Sequence, residues 1–282
     1  MLSSPIFLGN TPQRSDPLDP LSSYGNARGA MGIDTAHFRN DAALGVAIGN
    51  FANEMTALYV SQPQPLTFSD ESISEGIGPA SRLFLKFGML FFDYDLDGWI
   101  DLFSTNGHLE EEIGKVQASQ HYAQPAQLFW NACGTPKRTF VPVASENAGA
   151  HLFKPIVGRG SAFADIDNDG DLDLVLTQTG GSPILLRNDQ TTGHHWLRCK
   201  LIGSQSNRDA IGALVRVRIA GRLRQRQVMP TRSYLSQSEL PVTIGLGENT
   251  RTDKVEIIWS GGQLQTVDNP EIDRVIAIQQ QP

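Results

Sequence analysis

Two stretches of this chain share one pattern: an apolar residue, then Asp-x-Asp-x-Asp-Gly-x-x-Asp, then a β-prone apolar run. One runs from Phe91 to Phe103 and the other from Phe163 to Val175. The carboxylates fall at loop positions 1, 3, 5 and 9: Asp93, Asp95, Asp97 and Asp101 in the first, Asp165, Asp167, Asp169 and Asp173 in the second. Four carboxylates packed this closely repel one another unless a cation screens them. A hard divalent ion taking six to eight oxygens at about 2.3–2.6 Å suits such a set, which points to calcium (Ca2+). Gly98 and Gly170 stand where the chain must turn back sharply, a place that favours positive φ. The backbone carbonyls of Trp99 and Asp171, at position 7, would complete each shell. Asp and Gly favour turns between strands in any case. That accounts for one Asp-Gly, but not for four acids at matched spacing twice over. A helix–loop–helix calcium site would carry Glu at position 12 between amphipathic helices. Here position 12 is Ser104 or Leu176, and both flanks read as strands. The ion would therefore staple two strands.

At 282 residues the chain is long enough for one large or two modest domains. Its 27 glycines and 16 prolines suggest many turns between short strands. No apolar run reaches the ~18 residues that a membrane span needs. The opening Met1–Asn10 has neither a basic nor an apolar region of signal-peptide type, so none is expected. The net charge of −7 argues against nucleic acid as a partner. Cys133 and Cys199 form no metal or redox motif, and their spacing leaves a disulfide open beside two buried thiols.

Residues 1–30 are rich in Pro, Ser, Gly, Asn and Asp and read as a loop or partly disordered arm. Residues 31–190 then repeat one unit. Its first copy is worn: aligned with the later loops, His37, Arg39, Asp41 and Gly45 take the acid positions, and Ala42 replaces the turn glycine. Arg39 would put a positive charge at the ion site, so this loop should not bind calcium. The intact loops begin 72 residues apart, at 93 and 165. Repeats of that length, built from short strands and turns, are the signature of β-propeller blades. His108 reads as the cap of a strand end.

From 194 to 280 the character changes to a second all-β unit. Between Thr191 and Pro230 there are eight Lys or Arg and one acid, Asp209. Residues 213–219 and 222–228 alternate with period two about the turn Ala220-Gly221. This reads as a hairpin with Arg216, Arg218, Arg222, Arg224 and Arg226 along one solvent-facing side. Such a face keeps a hairpin soluble, docks on an acidic neighbour such as the preceding blades, or binds an anionic polymer. His194-His195 beside Trp196 reads as a feature at the start of a strand, and is the one histidine pair to test for transition metals.

From about Met31 onward the chain resembles proteins that join FG-GAP (VCBS-type) propeller repeats to a C-terminal ASPIC/UnbV domain, a family that includes cartilage acidic protein. The two Asp loops carry the likeness, together with Ser206–Ala213, Ser233–Ser238, Gly245-Leu-Gly247 and Val255–Trp259. The likeness implies a partial propeller of two to three blades and a small all-β C-terminal domain. It departs in the worn first loop, in Lys86–Leu90 where a glycine-rich approach is usual, and in Ser260-Gly-Gly after the tail tryptophan. Family propellers commonly close with about seven blades, and an open arc leaves strand edges unpaired. Upstream blades of a longer or split protein, or a second copy, are expected to cover them.

The resemblance implies a non-enzymatic, calcium-stabilised module that is extracellular, periplasmic or at the cell surface. It would serve adhesion or recognition of a protein or an anionic glycan. A propeller enzyme is the alternative, against which stands the lack of Gly-x-Ser-x-Gly, His-Glu-x-x-His or a Cys/His cluster. A truncated fragment with no role of its own is a third reading.

Overall fold

A computed structural model describes residues 27–132 and 139–282. Most of the N-terminal arm and Cys133 therefore lie outside the described residues. The first sheet is an antiparallel meander of β1 (Ile33–Ala36), β2 (Gly45–Ile48), β3 (Ala57–Ser61) and β4 (Phe68–Asp70). The second is β5 (Lys86–Phe92), β6 (Asp101–Asn106), β7 (Gln127–Asn131) and β8 (Phe140–Pro142). The third is β9 (Gly158–Ala164), β10 (Asp173–Gln178) and β11 (Ile184–Leu186). Among the described residues helix is confined to single turns: α1 (Gly78–Ser81), α2 (Ile113–Val116) and α3 (Ser145–Ala148). None is long and apolar enough to cross a membrane.

The second blade shows why its strands read as unbroken apolar runs. Every residue of β5 is buried, because successive side chains of a strand point to opposite faces and both faces are covered. Met89 and Phe91 join Phe38, Leu58 and Phe140 in the core between blades one and two. Leu90 and Phe92 join Phe103, Leu172 and Leu174 in the core between blades two and three. Leu102 and Phe103 of β6 divide in the same way. Inner strands also approach closely: a Cβ on Gly88 would lie 2.4 Å from Ser161 Oγ on the next blade.

The C-terminal part holds β12 (His195–Ile202), β13 (Leu214–Ile219), β14 (Arg222–Gln227), β15 (Thr231–Arg232), β16 (Ser236–Gln237), β17 (Val242–Gly247), β18 (Lys254–Ile258), β19 (Leu264–Asp268) and β20 (Val275–Gln279). One sheet runs β17-β12-β20 and another β14-β13-β18-β19. They share one core in which Leu197, Cys199, Val215, Val217, Ile244, Val255, Ile257 and Trp259 are buried. β20 lies parallel to β12, so the end of the chain closes the sheet that β12 began. Among the described residues the protein is thus all-β, with five sheets of three or four strands in a propeller-like arrangement. The expected count of two to three is corrected to five. The Asp loops, with the worn copy, mark only the first three sheets, and the last two carry no such loop.

The short β15–β16 hairpin crosses the inner strands. Ile33 of β1 and Ser233 exchange backbone hydrogen bonds, and Ser233 Oγ accepts from Met89 N at 3.0 Å. Ser233 Oγ also lies 2.9 Å from Ser161 Oγ of β9, while Tyr234 packs edge-on against Phe87. The hairpin thus covers part of the free edge of β1.

Phe91 is 2% exposed and packs on Phe38 and Phe140. Phe91→Ala should cost about 3–5 kcal/mol, read as a lower urea midpoint. A cost below about 1 kcal/mol, the size of a surface change, would mean that the first two blades do not share that core.

Candidate metal centre

Each Asp loop joins the first two strands of its blade. The paired residues Phe92 and Asp101 set the mouth of one, and Ala164 and Asp173 the mouth of the other. The position-9 aspartate closes each loop with both of its oxygens. Asp101 Oδ2 accepts from Tyr94 N at 3.0 Å and Oδ1 from Asn131 N at 2.7 Å. Asp173 Oδ2 accepts from Ile166 N at 2.9 Å and Oδ1 from Asn188 N at 2.8 Å. Position 1 receives the turn: Gly98 N donates to Asp93 Oδ2 at 3.0 Å, and Gly170 N to Asp165 Oδ2 at 3.2 Å. Gly98 and Gly170 have φ of +87° and +100°, a region that L side chains resist.

Oxygens of Asp93, Asp95 and Asp101 lie within 4.8 Å of one another, and so do those of Asp165, Asp167 and Asp169. Asp97 stands at the edge of the first group and accepts from Trp99 N at 2.7 Å. Asp169 does the same for Asp171 N at 3.2 Å. Asp93 and Asp101 are buried. Burial, aided by repulsion from Asp97 and Asp95, pushes Asp93 up to about 8 despite Arg226 and the Gly98 N–H. Burial and Asp97 raise Asp95 to about 6, and burial with Asp95 and Asp93 holds Asp101 well above the carboxylate range. In the second loop burial and Asp169 raise Asp171 to about 8.

Asp93 Oδ1 and Asp171 Oδ1 are buried without a hydrogen-bond partner among the described residues. A buried carboxylate oxygen left so is costly. Oxygen donors gathered this densely, one of them orphaned in each loop, fit a hard divalent cation. Asp171 was placed at the site by its backbone carbonyl alone, whereas its carboxylate also sits beside Asp169 and Asp173. The worn loop closes with one acid in place of four. His37 Nδ1 meets Ala43 O at 2.9 Å, Asp41 Oδ1 accepts from Ala43 N, and Arg39 is neutralised by Glu71 and Glu75.

The arginine face expected to meet solvent is split. The tight turn has φ of +48° at Ala220 and +77° at Gly221, which pairs Ile219 with Arg222, Val217 with Arg224 and Val215 with Arg226. Directly opposed residues share a face, so these three arginines lie on the side of the core valines, while Arg216 and Arg218 lie on the other. Arg218 and Arg222 are exposed and Arg216 half-buried, but Arg224 is buried and Arg226 nearly so. Arg224 covers the Trp99 ring at 4.8 Å. Arg226 Nη2 lies 3.6 Å from Asp93 Oδ2 and donates to Gly98 O at 3.2 Å, while Nη1 reaches Asn40 Oδ1.

Two further pairs repeat this theme without having been anticipated. Arg198 Nη1 is 2.7 Å from Asp165 Oδ2, with Nη2 on Glu239, and Arg232 Nη1 is 3.0 Å from Asp34 Oδ2. Asn131 and Asn188 were also missed. Beyond serving position 9, Asn131 Nδ2 donates to Phe38 O and Asn188 Nδ2 to Tyr94 O, the position-2 carbonyl of the preceding blade's loop. The recurring Asn after Leu128-Phe-Trp and Leu185-Leu-Arg was the available signal. The two histidines at the start of β12 do not converge: His194 Nδ1 meets Asp95 O, and His195 Nδ1 meets Asp273.

Residues 203–282 match the family model described as ASPIC and UnbV. No curated protein matches the chain.

Asp93, Asp95 and Asp101 keep protons in the folded, ion-free chain that the unfolded chain gives up near 3.8. A raised folded pKa contributes stability below the unfolded value and loses it as pH rises through the folded one. In chelator, the urea midpoint should therefore fall between about pH 5 and pH 8, and Asp93→Asn, which imitates the protonated form, should flatten that fall. An unchanged slope in Asp93→Asn would mean that Asp93 is ionised throughout.

Proposed function

We propose that the chain is a non-enzymatic, calcium-stapled propeller module whose first blades are of the FG-GAP/VCBS type. The observation that carries this reading is the pair of acid clusters, Asp93, Asp95 and Asp101 in one loop and Asp165, Asp167 and Asp169 in the other, each between the first two strands of a blade, with a buried orphan carboxylate oxygen on Asp93 and on the neighbouring Asp171. In the first loop Asp93, Asp95, Asp97 and Asp101 supply oxygens, with the Trp99 carbonyl. In the second Asp165, Asp167, Asp169 and Asp173 do so, with Asp171. Bound calcium would supply positive charge, offsetting the burial and mutual repulsion that raise Asp93, Asp95 and Asp101. The residues themselves hold the loop shape, since every position-9 oxygen is already committed to a backbone N–H. The acids are thus engaged in ligation and loop closure, which supports binding over acid–base chemistry.

The module works outside the cytoplasm, in the extracellular space, the periplasm or at the cell surface, where millimolar calcium suits sites of modest affinity. There it serves adhesion or recognition of a protein or anionic glycan. Of the five hairpin arginines, Arg216, Arg218 and Arg222 are left for an anionic partner, because Arg224 and Arg226 are committed to the first loop. Glu256, opposite Arg216 across β13 and β18, offsets part of that face.

Thermal melts with millimolar calcium and with chelator test the staple. Calcium at a hundred times its dissociation constant stabilises the fold by roughly 2.7 kcal/mol per site, and Asp97→Asn and Asp169→Asn should each remove about half of the total. Magnesium, which demands a smaller octahedral shell, should do less. Melts unmoved by calcium would leave the loops as plain turns. Retention on an anionic polysaccharide resin should drop in Arg218→Gln/Arg222→Gln. Equal retention would remove the hairpin from partner binding.

A further inference from the structure

We propose that cation occupancy of the Asp loops and docking of the C-terminal sheets on the blades are one linked equilibrium, with Arg226 and Arg198 as positioning residues for the ion. This rests on the calcium reading and adds to it what controls the site.

The first loop has two sides, used for two purposes. Its aspartate side chains cluster inward, whereas its backbone carbonyls are taken from outside. Asn188 Nδ2 takes Tyr94 O at 2.7 Å, and His194 Nδ1 meets Asp95 O at 2.7 Å. The backbone N–H of Gly247 donates to Leu96 O at 2.9 Å, and Arg226 Nη2 to Gly98 O at 3.2 Å. Three of these four contacts come from the segment beyond residue 190. The approach is close: a Cβ on Gly245 would lie 2.4 Å from Leu96 O and 2.5 Å from Asp93 Oδ2. The loop backbone is therefore the docking surface, and Asp93, whose Oδ2 lies against Gly245 and Arg226, ties it to the carboxylates behind it.

Asp93 is shared between the two sides. Its Oδ2 takes the Gly98 N–H and the Arg226 charge, while Oδ1 is buried and unpartnered. Arg226 thus fixes the carboxylate and leaves one oxygen for the ion. The second loop is gripped at the same position but differs in its free oxygen: Asn168 N donates to Asp165 Oδ1, and the unpartnered buried oxygen is Asp171 Oδ1. Arg198 holds Asp165, and the Trp196 ring lies where a Cβ on Gly170 would fall, at 1.9 Å. Arg226 lies in the field of Asp93, Asp97 and Asp101, while Arg224 beside it is stacked on Trp99. Between the two docking points lies a cavity of about 70 Å³ whose lining includes Asp93, Arg226, Arg232 and Glu239.

The sign of the linkage is what can be tested. An arginine that merely adds positive charge repels calcium, so removing it would tighten binding. An arginine that positions the ligand makes binding weaker when lost, by the roughly 10–100-fold typical of residues behind a metal ligand. Calorimetric calcium titration of the full chain should show one of two sites weakened to that extent in Arg226→Gln and the other in Arg198→Gln. Arg226→Lys keeps the charge but loses the fork between Gly98 O and Asn40, and should not rescue. In parallel, hydrogen exchange of the wild type should slow in β14 and β17 on adding calcium, a readout that needs no variant to fold.

No calcium binding to the wild type would sink the calcium reading itself. Calcium binding that is unchanged or tighter in Arg226→Gln, or exchange in β14 and β17 that ignores calcium, would overturn the linkage and leave the staple standing.

Discussion

Three buried arginine–aspartate pairs join the C-terminal sheets to the blades, one per blade. Arg232 meets Asp34, Arg226 faces Asp93 and Arg198 meets Asp165. Each aspartate is almost wholly shielded from water and sits on or beside the first strand of its blade. Breaking such a pair from one side leaves a charge buried alone, at about 3–5 kcal/mol. Replacing both partners by apolar groups often costs nothing, so the pairs are better understood as setting register than as a source of stability. They fix which part of the C-terminal unit meets which blade, where apolar contact alone would tolerate sliding.

That register explains the placement of the rest. Arg232 and Ser233 are adjacent, so anchoring one to Asp34 brings the other to Ile33 N, Met89 N and Ser161 Oγ, where three inner strands converge. The β14 edge then falls on the first Asp loop and the start of β12 on the second. Residues far apart in the chain are brought into one cluster: Arg232 and Asp34 are 198 positions apart.

The local chemistry of the loops was legible because all their carboxylates lie within nine consecutive residues, and repetition separated them from ordinary turns. The blade strands were legible as apolar runs. What escaped was every contact made across the fold. Asp34 looked like one acid at the edge of a strand, and Arg198 like one of eight basic residues in the tail. The arginine hairpin was misread for a specific reason. Period two was seen in each strand separately, but the two-residue turn fixes the pairing of Ile219 with Arg222, and so turns Arg222, Arg224 and Arg226 to the face of the core valines. The blade count erred because Asp loops were taken as the mark of a sheet, and the last two sheets are held by the core around Trp259 instead.

The worn first loop now has a physical role without any ion. Asn40, with φ of +54°, sends Nδ2 to Gly98 O at 3.1 Å, and its Oδ1 accepts from Arg226. Gln225 Nε2 donates to Asp41 O of the same loop. A loop with one acid in place of four clustered carboxylates needs no cation to hold its shape, and it serves as a wall against which Arg226 is set. The intact loop beside it carries the raised, crowded carboxylates of Asp93, Asp95 and Asp101 instead. On the calcium reading proposed above, the same arginine would give the C-terminal unit one contact independent of the ion and one that follows it. Loss of acids from the first blade is then compatible with retained acids in the second, since the two loops perform different parts of a single docking.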